Sequence, residues 1–276
     1  MDVGTMTANR RRAPMRPSSV PPVSPLLFRL FTGYVRRSLQ RSFHAVRLLR
    51  TGAPPQATDL PLVIYCNHPS WWDPLVCIFL ARHFFPARTH YGPMDAQALA
   101  RYRFFARLGF FAVLPGTRQG AATFLRGGRA ILQQPRAVLW MTPGGQFSDP
   151  RQRPVRFQPG LGHLARHIER GVFVPLALEY PFWEERYPEV LLGFGEPLVV
   201  NRDHGRTAAE WTTILAQRLE ASQDRLAGAA CQRHLQAFTP LLRGRAGVGG
   251  VYDLWRAMRA WLGGVAFHRA HGREEQ

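Results

Sequence analysis

His68 and Asp73 are the two residues of this sequence whose types and spacing can do chemistry together. A histidine is useful as a general base when a second group holds its ring and stabilises the imidazolium that forms. A carboxylate on one ring nitrogen does this and leaves the other nitrogen facing a substrate hydroxyl. The arrangement is that of a hydrolase triad in which the substrate supplies the nucleophile. Such a base works only while neutral, so activity falls in acid. The same spacing also suits an acid that caps its helix beside an ordinary loop histidine, and Asp73 can fill both roles.

The elements that must position this pair follow from patterning. Leu62 to Cys66 is an unbroken apolar run of strand length, and Asp73-Pro74 reads as a helix start, so the pair flanks one turn. Beyond a Pro/Ala-rich linker over 51–61, strands are predicted at Leu62–Asn67, Phe110–Leu114, Ala137–Met141, Val172–Leu178 and Val190–Phe194. Helical stretches over 74–85, 96–108, 119–134 and 160–170 lie between them. Alternation of this kind predicts an α/β fold, a mixed, mostly parallel central sheet flanked by helices, with catalytic residues at strand ends. Further helices are predicted over 206–228, 230–242 and 251–264, without a chemical motif.

Asn67-His68 followed by Asp73, after an apolar strand, resembles the first signature block of the glycerolipid (lysophospholipid) acyltransferase family. The resemblance implies His68 as base, Asp73 as its partner, and Asn67 beside the substrate. Leu108 to Pro115 resembles the second block, a glycine-led apolar strand that normally ends in arginine; here Pro115 takes that place, and Arg118, three residues on, is the candidate acceptor-binding cation if the loop folds back. Thr142-Pro143-Gly144-Gly145-Gln146-Phe147-Ser148 resembles Pro-Glu-Gly-Thr-Arg-Ser of the third block. Gly144 replaces the glutamate and Phe147 the arginine, the two residues that help bind a phosphorylated acceptor in typical members. Arg151, Arg153 and Arg156 follow at once. Arginine forks and a glycine pair both suit an anion, so Gly144, Gly145 and these arginines are candidate acceptor-binding residues; a loop of arginines is otherwise a solvated face. Val172 to Ala177 resembles the fourth block. The resemblance covers about residues 60–200 and points to a divergent branch with TPGG in place of the usual turn.

Composition narrows the remaining classes. The chain has 276 residues, 46% of them apolar, enough for one large domain. All 36 basic residues are arginine, which excludes Schiff-base chemistry and a P-loop lysine. A net charge of +18 favours an anionic partner, whether membrane surface, nucleic acid or a phosphorylated substrate; no nucleic-acid module is seen, and the resemblance implies membrane lipids. Cys66, Cys77 and Cys231 are isolated and read as reduced core residues. His163 and His167 stand one helical turn apart without a third ligand, so no metal site is expected.

Residues 1–25 read as a disordered basic, Pro-rich tail, and 26–50 as an amphipathic helix interrupted by arginine. A spanning helix needs about 20 mostly apolar residues. This one either lies in the membrane interface or packs its stripe on the protein's own core. Residues 60–276 then form the acyltransferase domain, its motif-bearing core over 60–200 and a helical part over 206–276. The implied activity is transfer of a fatty acyl group from acyl-CoA or acyl carrier protein, as co-substrate and without a cofactor, to a hydroxyl of a lysophospholipid or related membrane lipid. The implied location is peripheral, on the cytoplasmic face of the cell membrane. The alternatives are acylation of a glycosylated, ornithine or isoprenoid lipid, and a catalytically dead basic binding protein.

Overall fold

The computed structural model describes residues 20–55, 58–202, 205–247 and 258–259. Its first elements are α1 (Pro25–Ser42), β1 (Ala45–Leu49), β2 (Leu62–Cys66), α2 (Asp73–Phe84) and β3 (Thr89–Asp95). Then come α3 (Ala96–Arg101), a 3-10 turn (Arg103–Leu108), β4 (Phe110–Val113), α4 (Arg118–Leu132), β5 (Ala137–Met141) and α5 (Gly160–His167). The chain continues through β6 (Arg170–Glu179), β7 (Val190–Phe194), β8 (Leu198–Asn201), α6 (Ala208–Gln232) and β9 (Phe238–Arg243).

One sheet of order β4-β3-β5-β2-β6-β7-β1-β9 organises these elements, with β8 pairing β6 beside β7. Among the described residues five pairings are parallel and three antiparallel, so the mixed, mostly parallel sheet flanked by helices is what the chain forms. β2 is central, and Leu62 to Cys66 are all buried because helices cover both sheet faces. Ile64 and Cys66 pack with α1 and α2 in one apolar layer. Val63 and Tyr65 pack with α4, α5 and α6 in the other.

The structure corrects three of the sequence-based expectations. The helix predicted over 26–50 ends at Ser42, and residues 45–49 are a buried strand between β7 and β9. Leu39, Phe43, Val46 and Leu49 mimic a helical stripe, while Arg47 looked like a polar face. Arg47 is in fact buried and bonds Glu189 at 3.0 Å, with His44 on the same carboxylate at 2.6 Å. A buried arginine needs such a partner. Helix 230–242 is also not formed: α6 ends at Arg233 in left-handed backbone and 238–243 is strand. Pro240 is tolerated because, among the described residues, β9 pairs on one side only. Cys231, expected in the core, is exposed, whereas Cys66 and Cys77 are buried.

The tail expectation falls mostly outside the described residues, as does most of helix 251–264. Besides β1 and β9, two further strands went unpredicted. In β3, Gly92 and Pro93 break the apolar pattern, and β8 is only four residues long.

His90 of β3 lies under this packing. Its Nδ1 accepts from Trp140 Nε1 at 3.1 Å, its Nε2 meets the Phe85 carbonyl at 3.1 Å, and the Phe28 ring stacks on it at 5.3 Å. Burial pushes its pKa down to about 4, and the Arg88 charge adds to this against the Phe85 bond. The unfolded chain therefore takes up this proton first as pH falls below the usual histidine value of about 6.5. Stability from this group is complete above that value and is lost down to pH about 4. Denaturant titrations at pH 7 and pH 4.5 should show a loss about 2 kcal/mol larger for the wild type than for His90→Gln.

Candidate active site

β2 runs directly into the turn that carries His68. Asn67 extends the strand with its side chain: its amide nitrogen donates to the Leu178 carbonyl and its oxygen accepts from the Leu178 N–H, both at 2.9 Å. The amide thus does the work of a backbone ladder and ties the turn to β6. Asn67 was expected at the substrate, but it is buried with both amide atoms bonded to the main chain.

His68 Nδ1 lies 2.5 Å from Asp73 Oδ2, and the imidazole is 19% exposed. Asp73 is fully buried at the first position of α2. Trp72 holds the N-cap position and no side chain caps the helix, so Asp73 does not cap it. Its carboxylate turns to the histidine and collects two more donors, the Ser70 N–H on Oδ2 at 3.1 Å and the Tyr180 hydroxyl on Oδ1 at 2.6 Å. The positive end of α2 adds a favourable field. An acceptor-only carboxylate at Nδ1 places the ring proton there, which leaves Nε2 as the lone-pair nitrogen. Among the described residues Nε2 has no hydrogen-bond partner. Burial, then the Asp73 charge and the bond to it, hold the Tyr180 hydroxyl well above the usual tyrosine range, so it stays a donor.

The loop after β5 closes over this pair. Gly145 N–H bonds the Thr142 carbonyl at 3.1 Å, and Gly145 has φ of 73°, a left-handed conformation that favours glycine. Gly144 carries no such demand, and a side chain there would meet its nearest neighbour, the Arg156 carbonyl, at an ordinary 3.6 Å. Ser148 N–H then donates to the His68 carbonyl at 3.0 Å, which brings the Phe147 ring to 4.3 Å from the imidazole.

The candidate arginines differ in their surroundings. Arg153 Nε and Nη2 bond Asp224 of α6 at 3.0 and 2.5 Å, and its Nη1 bonds the Pro150 and Gln152 carbonyls. This arginine, expected at the acceptor, instead ties the loop to α6, as do Val155 N–H to Glu220 and Gln223 to Pro150. Arg151 and Arg156 are exposed. Burial raises the pKa of Glu179, and the Arg151 and Arg153 charges counter this, with Asp149 opposing them. Arg118 is exposed at the start of α4, beyond edge strand β4. With β3 and β5 between, β4 stands about 14 Å from β2 at ordinary strand spacing.

Residues 44–179 match the family model described as Acyltransferase. The matched span, just under half of the chain, supports an O-acyltransferase of the glycerolipid type. Among solved structures it is similar to the 1-acyl-sn-glycerophosphate (LPA) acyltransferase PlsC from Thermotoga maritima, with a TM-score of 0.49 and 12% identity over 72% of this chain and 79% of that one. No curated protein matches it.

Tyr180→Phe removes one donor from a buried carboxylate. A bond to a charged group contributes about 1.5–3 kcal/mol, so urea unfolding at pH 7 should show a loss of that order. An unchanged midpoint would mean that Asp73 does not depend on this hydroxyl.

Proposed function

We propose that this protein transfers a fatty acyl group from a thioester donor, acyl-CoA or acyl carrier protein, to a hydroxyl of a membrane lipid of the lysophospholipid type or a related one. The observation that carries the reading is the His68–Asp73–Tyr180 relay, which leaves Nε2 of an oriented, partly exposed imidazole without a hydrogen-bond partner among the described residues. His68 Nε2 takes the acceptor hydroxyl proton as the oxygen attacks the thioester carbonyl. The new ester C–O bond forms, the C–S bond breaks, and the thiolate leaves with the proton from His68. Asp73 holds the ring and stabilises the imidazolium, so no covalent enzyme intermediate and no cofactor are needed.

The protein sits on the cytoplasmic face of the cell membrane as a peripheral protein, and α1 supports this. Its inward residues Phe28, Phe31, Val35 and Leu39 pack on the core. Leu26, Leu30 and Tyr34, four apart, are 68, 64 and 61% exposed, among exposed Arg29, Arg36, Arg37 and Arg41. Among the described residues no helix is long and apolar enough to cross a membrane. An exposed apolar ridge flanked by guanidinium groups is complementary to an anionic lipid surface, each cation contributing roughly 1 kcal/mol near it.

Lipid extracts from cells expressing wild type, His68→Ala or no protein, compared by mass spectrometry, test the reaction. One lipid class should gain an acyl chain with wild type alone, and Asp73→Asn should lower the rate on that lipid about a thousandfold or more. If His68→Ala yields the same product, His68 is not the base. Co-sedimentation with phosphatidylglycerol-containing vesicles tests the location. Leu30→Asp/Tyr34→Asp should lose most binding, and 0.5 M salt should weaken wild-type binding; equal binding by both proteins would remove α1 from the membrane contact.

A further inference from the structure

We infer that the acceptor hydroxyl belongs to an uncharged lipid and that Phe147 sets this preference. The inference rests on the acyl-transfer reading above and specifies its acceptor.

Phe147 lies where the family motif has arginine. Its ring stands 4.3 Å from the His68 ring at 40° and is 61% exposed, so a hydroxyl that reaches His68 travels along an aromatic surface. An aromatic face is weakly negative and carries no donor. It attracts C–H groups and offers a phosphate nothing in return for its lost water. Trp71 and Phe182 are 68 and 65% exposed in the loops that follow β2 and β6. Since β5, β2 and β6 are adjacent and parallel, all three exposed aromatics follow the same end of the sheet. Exposed rings thus follow three neighbouring strands at the end of the sheet that carries His68.

Of the three arginines after the turn, one is already committed to a carboxylate. Arg153 is held by Asp224, and Arg151 and Arg153 both act on the buried carboxyl of Glu179, with Asp149 alongside. Nor is the missing glutamate of the motif a steric necessity, since a side chain at Gly144 has room. Both changes convert a polar acceptor site into one suited to a hydroxyl flanked by C–H groups, as in a monoacylglycerol or the sugar ring of a glycosylated lipid.

The test uses purified full-length protein with palmitoyl-CoA and three acceptors: monoacylglycerol, dodecyl glucoside and lysophosphatidate. Wild type should acylate one neutral acceptor with a kcat/KM at least tenfold above that for lysophosphatidate, and the neutral acceptor used tells glyceride from sugar. Phe147→Arg and Gly144→Glu/Phe147→Arg should move that ratio at least tenfold toward lysophosphatidate, mainly through KM. Phe147 is exposed, so melting temperatures should stay close to wild type. A wild-type preference for lysophosphatidate overturns the inference; if Arg156→Ala abolishes that preference, the anion site lies at Arg156. A ratio unmoved by Phe147→Arg also overturns it. In both cases His68-dependent acylation leaves the acyl-transfer reading standing. Absence of His68-dependent acylation of all three acceptors overturns both.

Discussion

A carboxylate with no exposure to solvent is costly unless donors surround it, and the architecture around His68 follows from meeting that need at Asp73. The donors come from three places: the imidazole of the same turn, the Ser70 backbone, and the Tyr180 hydroxyl from just beyond β6. Each also limits where the carboxylate can sit. Because Asp73 opens α2 next to Pro74, its backbone is set by the helix, and the histidine ring orients to the acid rather than the reverse. A base held in this way requires no reorganisation when it takes a proton.

Tyr180 reaches Asp73 only if β6 lies beside β2 in register. That register is Leu62 opposite Val172 through Cys66 opposite Leu176, and Asn67 carries it one step further through the Leu178 backbone. The chemistry of an amide, two donors and an acceptor, is here used as a strand extension. On the other side of β2, the turn after β5 is drawn in by the bond from Ser148 to the His68 carbonyl. Neighbouring strands thus contribute a positioning hydroxyl and an aromatic neighbour to one imidazole.

The arginine excess separates into two uses. Arg47, Arg88 and Arg153 are structural: the first shares Glu189 with His44, the second bonds the Leu60 and Thr58 carbonyls, and the third fastens a loop to α6. Those along the outer face of α1 remain at the surface beside Leu26, Leu30 and Tyr34. The inward stripe of α1 serves the core, so its amphipathic pattern reports packing. Only the second, outward ridge is left for a membrane.

Local chemistry was legible without the structure. Leu62 to Cys66 reads as a buried strand, Asp73-Pro74 as a helix start, and His68 with Asp73 as a base and its partner, because these signals lie within a dozen residues and need nothing distant. The family resemblance likewise rests on short blocks. What required the tertiary structure was every partner far along the chain. Arg47 looks like a helix's polar face until Glu189, 142 residues away, meets it in the core. Arg153 looks like an anion ligand until Asp224 takes it, Asn67 like a substrate ligand until β6 claims its amide, and Tyr180 bears no local mark of the role it takes when it bonds Asp73. The sequence by itself determined the strand-turn-helix and the residue types of the pair. Which polar groups stay available to a substrate was decided by long-range pairing, because a buried or half-buried polar group takes whichever partner the fold brings within about 3 Å.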